Sequence, residues 1–321
     1  MSVMTSEKYL HDHPEFSDLI RIVADERKID PYLAEKDYWI MHCLYGLQQA
    51  NYDFQLKGGT SLSKGYGLIQ RFSEDIDIHI TPPESLDVKT SKNRDKNQDR
   101  QSRKGFYNYL AQNIKIEGIL KVERDTQFDS TPKYFSGGIR LFYRPAFSSD
   151  GTAKEGVLLE AGFDDVTPNS PIDISSWALD FALEKNVEVI DNKALRVLCY
   201  DPGYTLVEKL QTIATKFRNQ ESGKEFPANF MRHYYDVFCL LQDERVQKFI
   251  GTPDYLEHKE RRFPAADKTV PLAENEAFLL REPEKRALYK KEYERRPGLY
   301  YQGQPPFEDI LATIHQNLDR L

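Results

Sequence analysis

Leu56-Lys57-Gly58-Gly59-Thr60-Ser61-Leu62-Ser63 and, shortly after it, Arg71-Phe72-Ser73-Glu74-Asp75-Ile76-Asp77-Ile78 decide how this chain is read. Asp53 to Lys57 reads as a strand that ends in two glycines. Gly58 and Gly59 permit a tight turn and close approach of backbone to a ligand. Thr60 or Ser61 is suited to cap a helix running to about Ile69. Such a helix start offers free N–H groups and a positive dipole end to a phosphate. A second strand begins near Ser73 and carries Asp75-Ile76-Asp77. Residues two apart on a strand share a face, and two carboxylates side by side repel unless a cation lies between them. A divalent ion with oxygen ligands, Mg²⁺ (or Mn²⁺), fits when phosphates complete its shell. A lone pair of glycines is only a turn, and a lone DxD on an edge strand is only solvated. With about sixteen residues and a short helix between them, they have the parts expected of a nucleotide-handling site.

The wording is narrower than the pattern. LKGGTSLSKGYGLIQRFSEDIDI resembles the AbiEii/AbiGii toxin family of nucleotidyltransferases, whose members read GGT-x-L followed by RFS-x-D-I-D. Three further places carry the resemblance: Lys36-Asp37-Tyr38-Trp39, Val207-Glu208-Lys209-Leu210, and Arg232-His233-Tyr234-Tyr235-Asp236-Val237. The last matches an R-D-x-(Y/F)-D-L pattern, with His233 where an Asp is usual. The resemblance implies an α+β fold: a nucleotidyltransferase (polymerase-beta-like) mixed-sheet core over 51–200, N-terminal helices over 1–50, and a C-terminal helical domain over 201–321. It also implies a toxin with a cognate antitoxin, and some relatives add nucleotides to the 3′ end of tRNA.

Roles follow for individual residues. Phosphoryl transfer needs a nucleophile in line with the α-phosphorus and neutralisation of the leaving pyrophosphate. Metal held by Asp75 and Asp77 is expected to serve both needs. Lys57, Gly58, Gly59, Thr60 and Ser61 form the expected nucleotide cradle, and Lys209 adds a point charge on the triphosphate. Ser73 lies beside the metal site and is placed to bind phosphate oxygens. Asp236 either orients Lys209 or takes the proton of the attacking hydroxyl.

Composition bounds the class. Of 321 residues, 40% are hydrophobic, enough for a sizeable core, and 30% are charged. No apolar run approaches the roughly 18 residues of a membrane span, and the N-terminus lacks the apolar core of a signal peptide. Cys43, Cys199 and Cys239 are far apart and have no metal spacing, as expected of buried thiols in a reducing cytoplasm. The net charge of −7 argues against a generic nucleic-acid binder. The basic residues are nonetheless clustered. Lys89 to Lys104 holds seven Lys/Arg against Asp95 and Asp99, and Lys285 to Arg296 holds six against two. Such patches suit a polyanion held in one orientation. Arg94, Lys96, Arg100 and Arg103 are the expected RNA contacts, and solvated surface is the plainer reading of both stretches.

The remaining chain is read in order. Residues 15–28 and 31–50 form two helices, the second opened by Asp30-Pro31, with Ile40, Leu44 and Leu47 on an apolar stripe. The KDYW stretch in it reads as scaffold. Residues 84–104 are polar, and about 95–112 forms a basic helix. Strands follow over 114–123, 134–143 and 155–163, bounded by turn formers including Pro145 and Gly151. Glu160 lies within the last, where an isolated carboxylate is costly. It needs a partner, either a metal shared with Asp75 and Asp77 or an arginine such as Arg140. Residues 185–200 add a short extended pair. From Tyr204 the pattern is helical: a core stripe of Leu206, Leu210, Ile213 and Phe217 flanked by Lys209, Thr212 and Lys216, then a helix over 229–241 where Arg232 and Asp236 can meet. Gly251 to Ala273 reads as loop, 274–296 as a basic helix, and 307–318 as a closing helix.

Overall fold

The structure, a computed structural model, describes residues 8–148, 155–227, 229–295 and 297–321. Gly151, one of the expected turn formers, and Arg296, the end of the second basic stretch, lie outside the described residues. The chain divides into two compact units. One holds the residues up to Gly65 together with Phe72–Tyr200; the other holds Tyr66–Arg71 with Asp201–Leu321.

In the first unit, helix α1 (Phe16–Arg27) and helix α2 (Pro31–Gln49) precede the sheet. The Asp30 carboxylate accepts a 2.8 Å hydrogen bond from the Tyr32 N–H, so the expected cap is present. Strand β1 (Phe54–Lys57) leads into a short helix α3 (Gly58–Thr60), then β2 (Asp75–Ile80), α4 (Asn97–Asn113), β3 (Ile119–Asp125), β4 (Ser136–Tyr143), β5 (Val157–Gly162), β6 (Asn169–Ile174), α5 (Trp177–Glu184) and β7 (Ala194–Tyr200). Among the described residues the strands form one mixed seven-stranded sheet in the order β3-β4-β5-β2-β1-β7-β6. The motif strands β1 and β2 are central and antiparallel, and each also has a parallel neighbour, β7 and β5 respectively.

Period-two burial along β2 explains why it stays central. Ile76, Ile78 and Ile80 are fully buried, each contributing roughly 1.5–3 kcal/mol by the usual side-chain scale. Asp75, Asp77 and His79 alternate with them on the other face and are half-buried. Helix α2 packs on β2, β5 and β7, and also against α1 and α5. It is therefore buried around almost its whole circumference, including Lys36 and Asp37. The KDYW stretch is scaffold of a charged kind: Lys64 Nζ lies 2.9 Å from the Asp37 carboxylate, which also accepts from the Trp177 N–H at 2.8 Å.

Several expected elements differ. The helix after the glycines starts at Gly58 itself, continues as a π-helical turn over Ser61–Gly65, and stops there rather than at Ile69. Gly67, with φ +66°, follows as a conformational break. Residues 185–193 form no strand; β7 pairs instead with β6, which was not expected. Pro171 lies in β6 and disguises it, since proline is tolerated on the sheet edge that β6 occupies.

The second unit is helical: α6 (Pro202–Glu221), α7 (Arg232–Leu240), α8 (Glu244–Phe249), α9 (Pro253–Arg262), α10 (Glu276–Leu279), α11 (Pro283–Tyr293) and α12 (Phe307–Asn317). Leu206, Leu210, Ile213 and Phe217 are buried as the stripe predicts. Helix α9 occupies the region expected to be loop. It is capped by the Thr252 hydroxyl and hidden in sequence because only Tyr255 and His258 turn inward. The expected helix over 274–296 is broken, because Leu280 takes φ +43° and Pro283 starts a new helix. Segment Tyr66–Arg71 is strapped into this unit. Gln70 N–H donates to the Tyr235 hydroxyl (3.1 Å), the Tyr301 hydroxyl donates to the Ile69 carbonyl (3.2 Å), and Arg71 bridges Tyr300.

Candidate active site

The sheet side of the site is built from β1, β2 and β5. Asp75 and Asp77 stand on the half-exposed face of β2, and register places Lys57 of β1 and Glu160 of β5 on either side of Asp77. Gly58 follows Lys57 with φ +69°, and a Cβ on it would lie 2.1 Å from Asp77 Oδ2. The missing side chain is therefore what lets the Asp77 carboxylate lie against the turn. Lys57 Nζ is 3.7 Å from Asp164 Oδ2, and Lys92 Nζ is 3.1 Å from the other oxygen of that carboxylate.

The side chains of Thr60 and Ser61 turn inward. The Thr60 hydroxyl donates to the Asp75 carbonyl at 2.6 Å, tying the turn to the start of β2. Ser61 is fully buried beside the Cys199 thiol. Neither hydroxyl caps α3, so the expected cap is absent and only backbone of these two residues is left for a phosphate. Ser73 is half-exposed in the segment entering β2.

Asp75 and Asp77 offer hard oxygen donors on one face, the chemistry Mg²⁺ requires. The space left by Gly58 keeps the second of them in place. Among the described residues no three His, Cys, Asp or Glu side chains gather as a metal-holding group, and Glu160 is the register partner of Asp77 on β5. Arg140, the alternative partner considered for Glu160, makes its ion pair with Asp125 at 2.6 Å. His79, missed in sequence, follows Asp75 and Asp77 on the same face; its Nδ1–H donates to the Asp164 carbonyl at 2.6 Å. The alternation D-I-D-I-H was the available signal.

The helical unit carries the other candidate residues. Asp236 is fully buried and accepts from Arg71 through Nε (2.7 Å) and an Nη (2.8 Å), and from Lys209 Nζ at 2.9 Å. Burial alone would raise the Asp236 pKa, but Arg71 and Lys209 outweigh it and hold the carboxyl well below its usual range. A group so acidic is a poor proton acceptor. Of the two roles open to Asp236, holding Lys209 in place is the one its surroundings support. Arg71 lies in the quoted motif, yet its partner 165 residues away was invisible in sequence.

Lys216, two turns beyond Lys209 on α6, has no carboxylate partner among the described residues. Its Nζ donates to His233 Nε2 at 3.2 Å. Burial, with Arg232 and Lys209 nearby, brings its pKa down to about 8. Burial and the surrounding lysines likewise keep His233 neutral. Its proton is then on Nδ1, which is buried with no hydrogen-bond partner.

The basic segment is only partly available. Arg94 and Lys96 are exposed. Arg100 holds Asp95 in a two-bond pair at 2.8 and 3.0 Å. Arg103 is fully buried, its guanidinium donating to the carbonyls of Lys89, Arg94 and Lys133. It organises the loop and is not a surface contact for RNA in this structure.

Residues 42–313 match the family model described as nucleotidyl transferase AbiEii toxin, type IV TA system. The chain belongs to the AbiEii family. No curated protein matches it. Among solved structures, a similar chain is an antigenic nucleotidyltransferase-like protein from Paracoccidioides brasiliensis. It is 12% identical, with 74% of this chain and 96% of that one covered at a TM-score of 0.34. AbiEii membership implies nucleotide transfer as the chemistry, an NTP as substrate and an antitoxin as partner. Among the described residues no helix is long and apolar enough to cross a membrane.

Proposed function

We propose that this AbiEii-family chain transfers a nucleoside monophosphate from an NTP to an RNA acceptor, the 3′ end of tRNA, and so blocks translation. The observation that carries the transfer reading is the Asp75/Asp77 pair on one half-exposed strand face, with Gly58 lying against Asp77. In this reading an acceptor hydroxyl attacks the α-phosphorus, the bond to the bridging oxygen breaks, and pyrophosphate leaves. Asp75 and Asp77 would hold a divalent ion, Mg²⁺ or Mn²⁺, which when bound supplies charge neutralisation for the phosphates. The N–H groups at the Gly58–Gly59 turn would receive phosphate oxygens, and Ser73 would bind others. Lys209, whose Nζ lies 2.9 Å from the buried Asp236 carboxylate, would add a point charge toward the triphosphate. Lys57, in register with Asp77, would serve the same purpose.

The acceptor is RNA on the strength of exposed Arg94 and Lys96 after the catalytic strand. Transfer to a protein hydroxyl is the second reading. It is favoured by the withdrawal of Arg103 from the surface and the pairing of Arg100 with Asp95, which shrink the basic patch. Labelled NTPs incubated with total RNA and total protein separate the two. Label in small RNA, lost in Asp75→Asn and Asp77→Asn variants of unchanged circular dichroism, is the expected result. Label in protein alone transfers the assignment to the second reading, and full activity in EDTA removes the metal.

A further inference from the structure

A cleft of about 280 Å³ opens in the helical unit at the N-terminal end of α7. Its walls include Phe226, Phe230 and Tyr300, and it also presents Arg232, Arg295 and Glu292. None of these residues belongs to the Asp75/Asp77 constellation. Behind Phe230 stands Lys216, whose Nζ is 5.7 Å from the ring centroid. That lysine lacks a carboxylate partner among the described residues, and its histidine neighbour keeps a buried Nδ1–H without an acceptor. The lining thus combines aromatic side chains, of which Phe226 is half-exposed, with two arginines and one acid. Its acid, Glu292, is answered by Arg295 at 3.2 Å.

We propose that this cleft receives one nucleotide of a single-stranded RNA end, its base against the aromatic walls and its phosphate toward Arg232. Aromatic faces and guanidinium groups are the usual partners of unpaired bases and their phosphates. The volume lies at the small end of ligand pockets, which suits one base and excludes a base pair. Lys290 and Lys291 are exposed on α11, the helix whose C-terminal end reaches the cleft at Tyr293. That basic surface is where a continuing RNA backbone would be held, whereas a free NTP needs no such extension. The inference rests on the reading that the acceptor is RNA.

The test is photo-cross-linking of the full chain to a short single-stranded RNA with 4-thiouridine at its 3′ end, followed by peptide mapping. Adducts on peptides containing Phe226–Arg232 or Tyr293–Tyr300 are expected. A Phe226→Ala, Arg232→Gln double variant should bind this RNA roughly tenfold more weakly or worse, from the loss of one stacked base and one phosphate contact, with ATP binding unchanged. Adducts confined to residues 89–104 on an RNA that is bound and extended overturn the cleft and leave the RNA reading intact. An RNA neither bound nor extended, with label passing to protein, overturns the RNA reading itself. Loss of ATP binding rather than RNA binding in the double variant shows the cleft to be the base site of the NTP. The wild-type cross-link needs no variant, so a misfolded double variant does not decide the matter.

Discussion

At the scale of single residues, two buried charges behave in opposite ways, and each gives a prediction. Asp236 is stabilised in its charged form by Arg71 and Lys209. Removing it strands two cations, and breaking a buried pair typically costs about 3–5 kcal/mol. Asp236→Asn should therefore lower the urea midpoint as well as activity, and an unchanged midpoint would show that the ion cluster does not hold the unit together. Lys216 is the reverse case. Its folded pKa, about 8, lies below the ordinary lysine value of 10.5, first through burial and then through Arg232 and Lys209. A base with a depressed folded pKa costs stability while protonated. That cost is full below about pH 8 and is relieved as pH rises toward 10.5, because the unfolded chain then binds the extra proton. Lys216→Met should thus be more stable than wild type near pH 7.5, with its advantage shrinking by about 2 kcal/mol by pH 9.5. Urea melts at the two pH values in phosphate-free buffer measure this; a constant difference would mean that Lys216 does not titrate in this window.

At the scale of elements, the decisive one is the β1–turn–β2 hairpin with its interposed segment. Gly58 is constrained twice, by φ +69° and by Asp77 Oδ2 at the position of a Cβ. An alanine there strains the backbone by roughly 1–2 kcal/mol and must also push the Asp77 carboxylate away. Gly58→Ala should keep the fold, since the apolar face of β2 is untouched, and lose nucleotide transfer by at least about a hundredfold, as misplacement at a reacting centre commonly does. Near-wild-type transfer in a single-turnover assay would show that Asp77 does not need its present position. The same hairpin explains why the cap at Thr60 or Ser61 was misjudged. The Thr60 hydroxyl donates to the Asp75 carbonyl and the Ser61 side chain is buried beside Cys199, so the helix begins without a side-chain cap.

At the scale of the whole molecule, a net charge of −7 opposes non-specific RNA binding, so affinity depends on a few local cations. Of the four expected RNA contacts in the 89–104 segment, Arg94, Lys96 and Arg100 keep surface exposure and Arg103 does not. Each phosphate they neutralise should contribute roughly 0.7–0.9 to the log–log salt slope of RNA binding. Changing the three to Ala together should weaken tRNA binding and flatten that slope by about two, while leaving NTP binding nearly unaltered. Equal slopes for wild type and variant would make this stretch a solvated loop.

The sequence by itself determined the central hairpin, the α+β class, the helical character of the C-terminal part and the family. These rest on local rules: turn glycines, period two along Asp75–Ile80, and period 3.6 along Leu206–Phe217. It also placed Asp75 and Asp77 on one face, because alternation is a property of any strand. Only the tertiary structure decided which charges are available. Arg103 and Arg94 read alike in sequence, yet one is fully buried among carbonyls and the other is exposed. Arg71 and Asp236 are 165 residues apart and meet only when the segment 66–71 joins the helical unit. Edge strand β6 and helix α9 stayed hidden because a proline and a polar surface masked elements stabilised by their neighbours. Periodicity records which way a side chain faces relative to its own backbone. What it meets there is set by distant parts of the chain, and the desolvation and pairing of charges follow from that meeting.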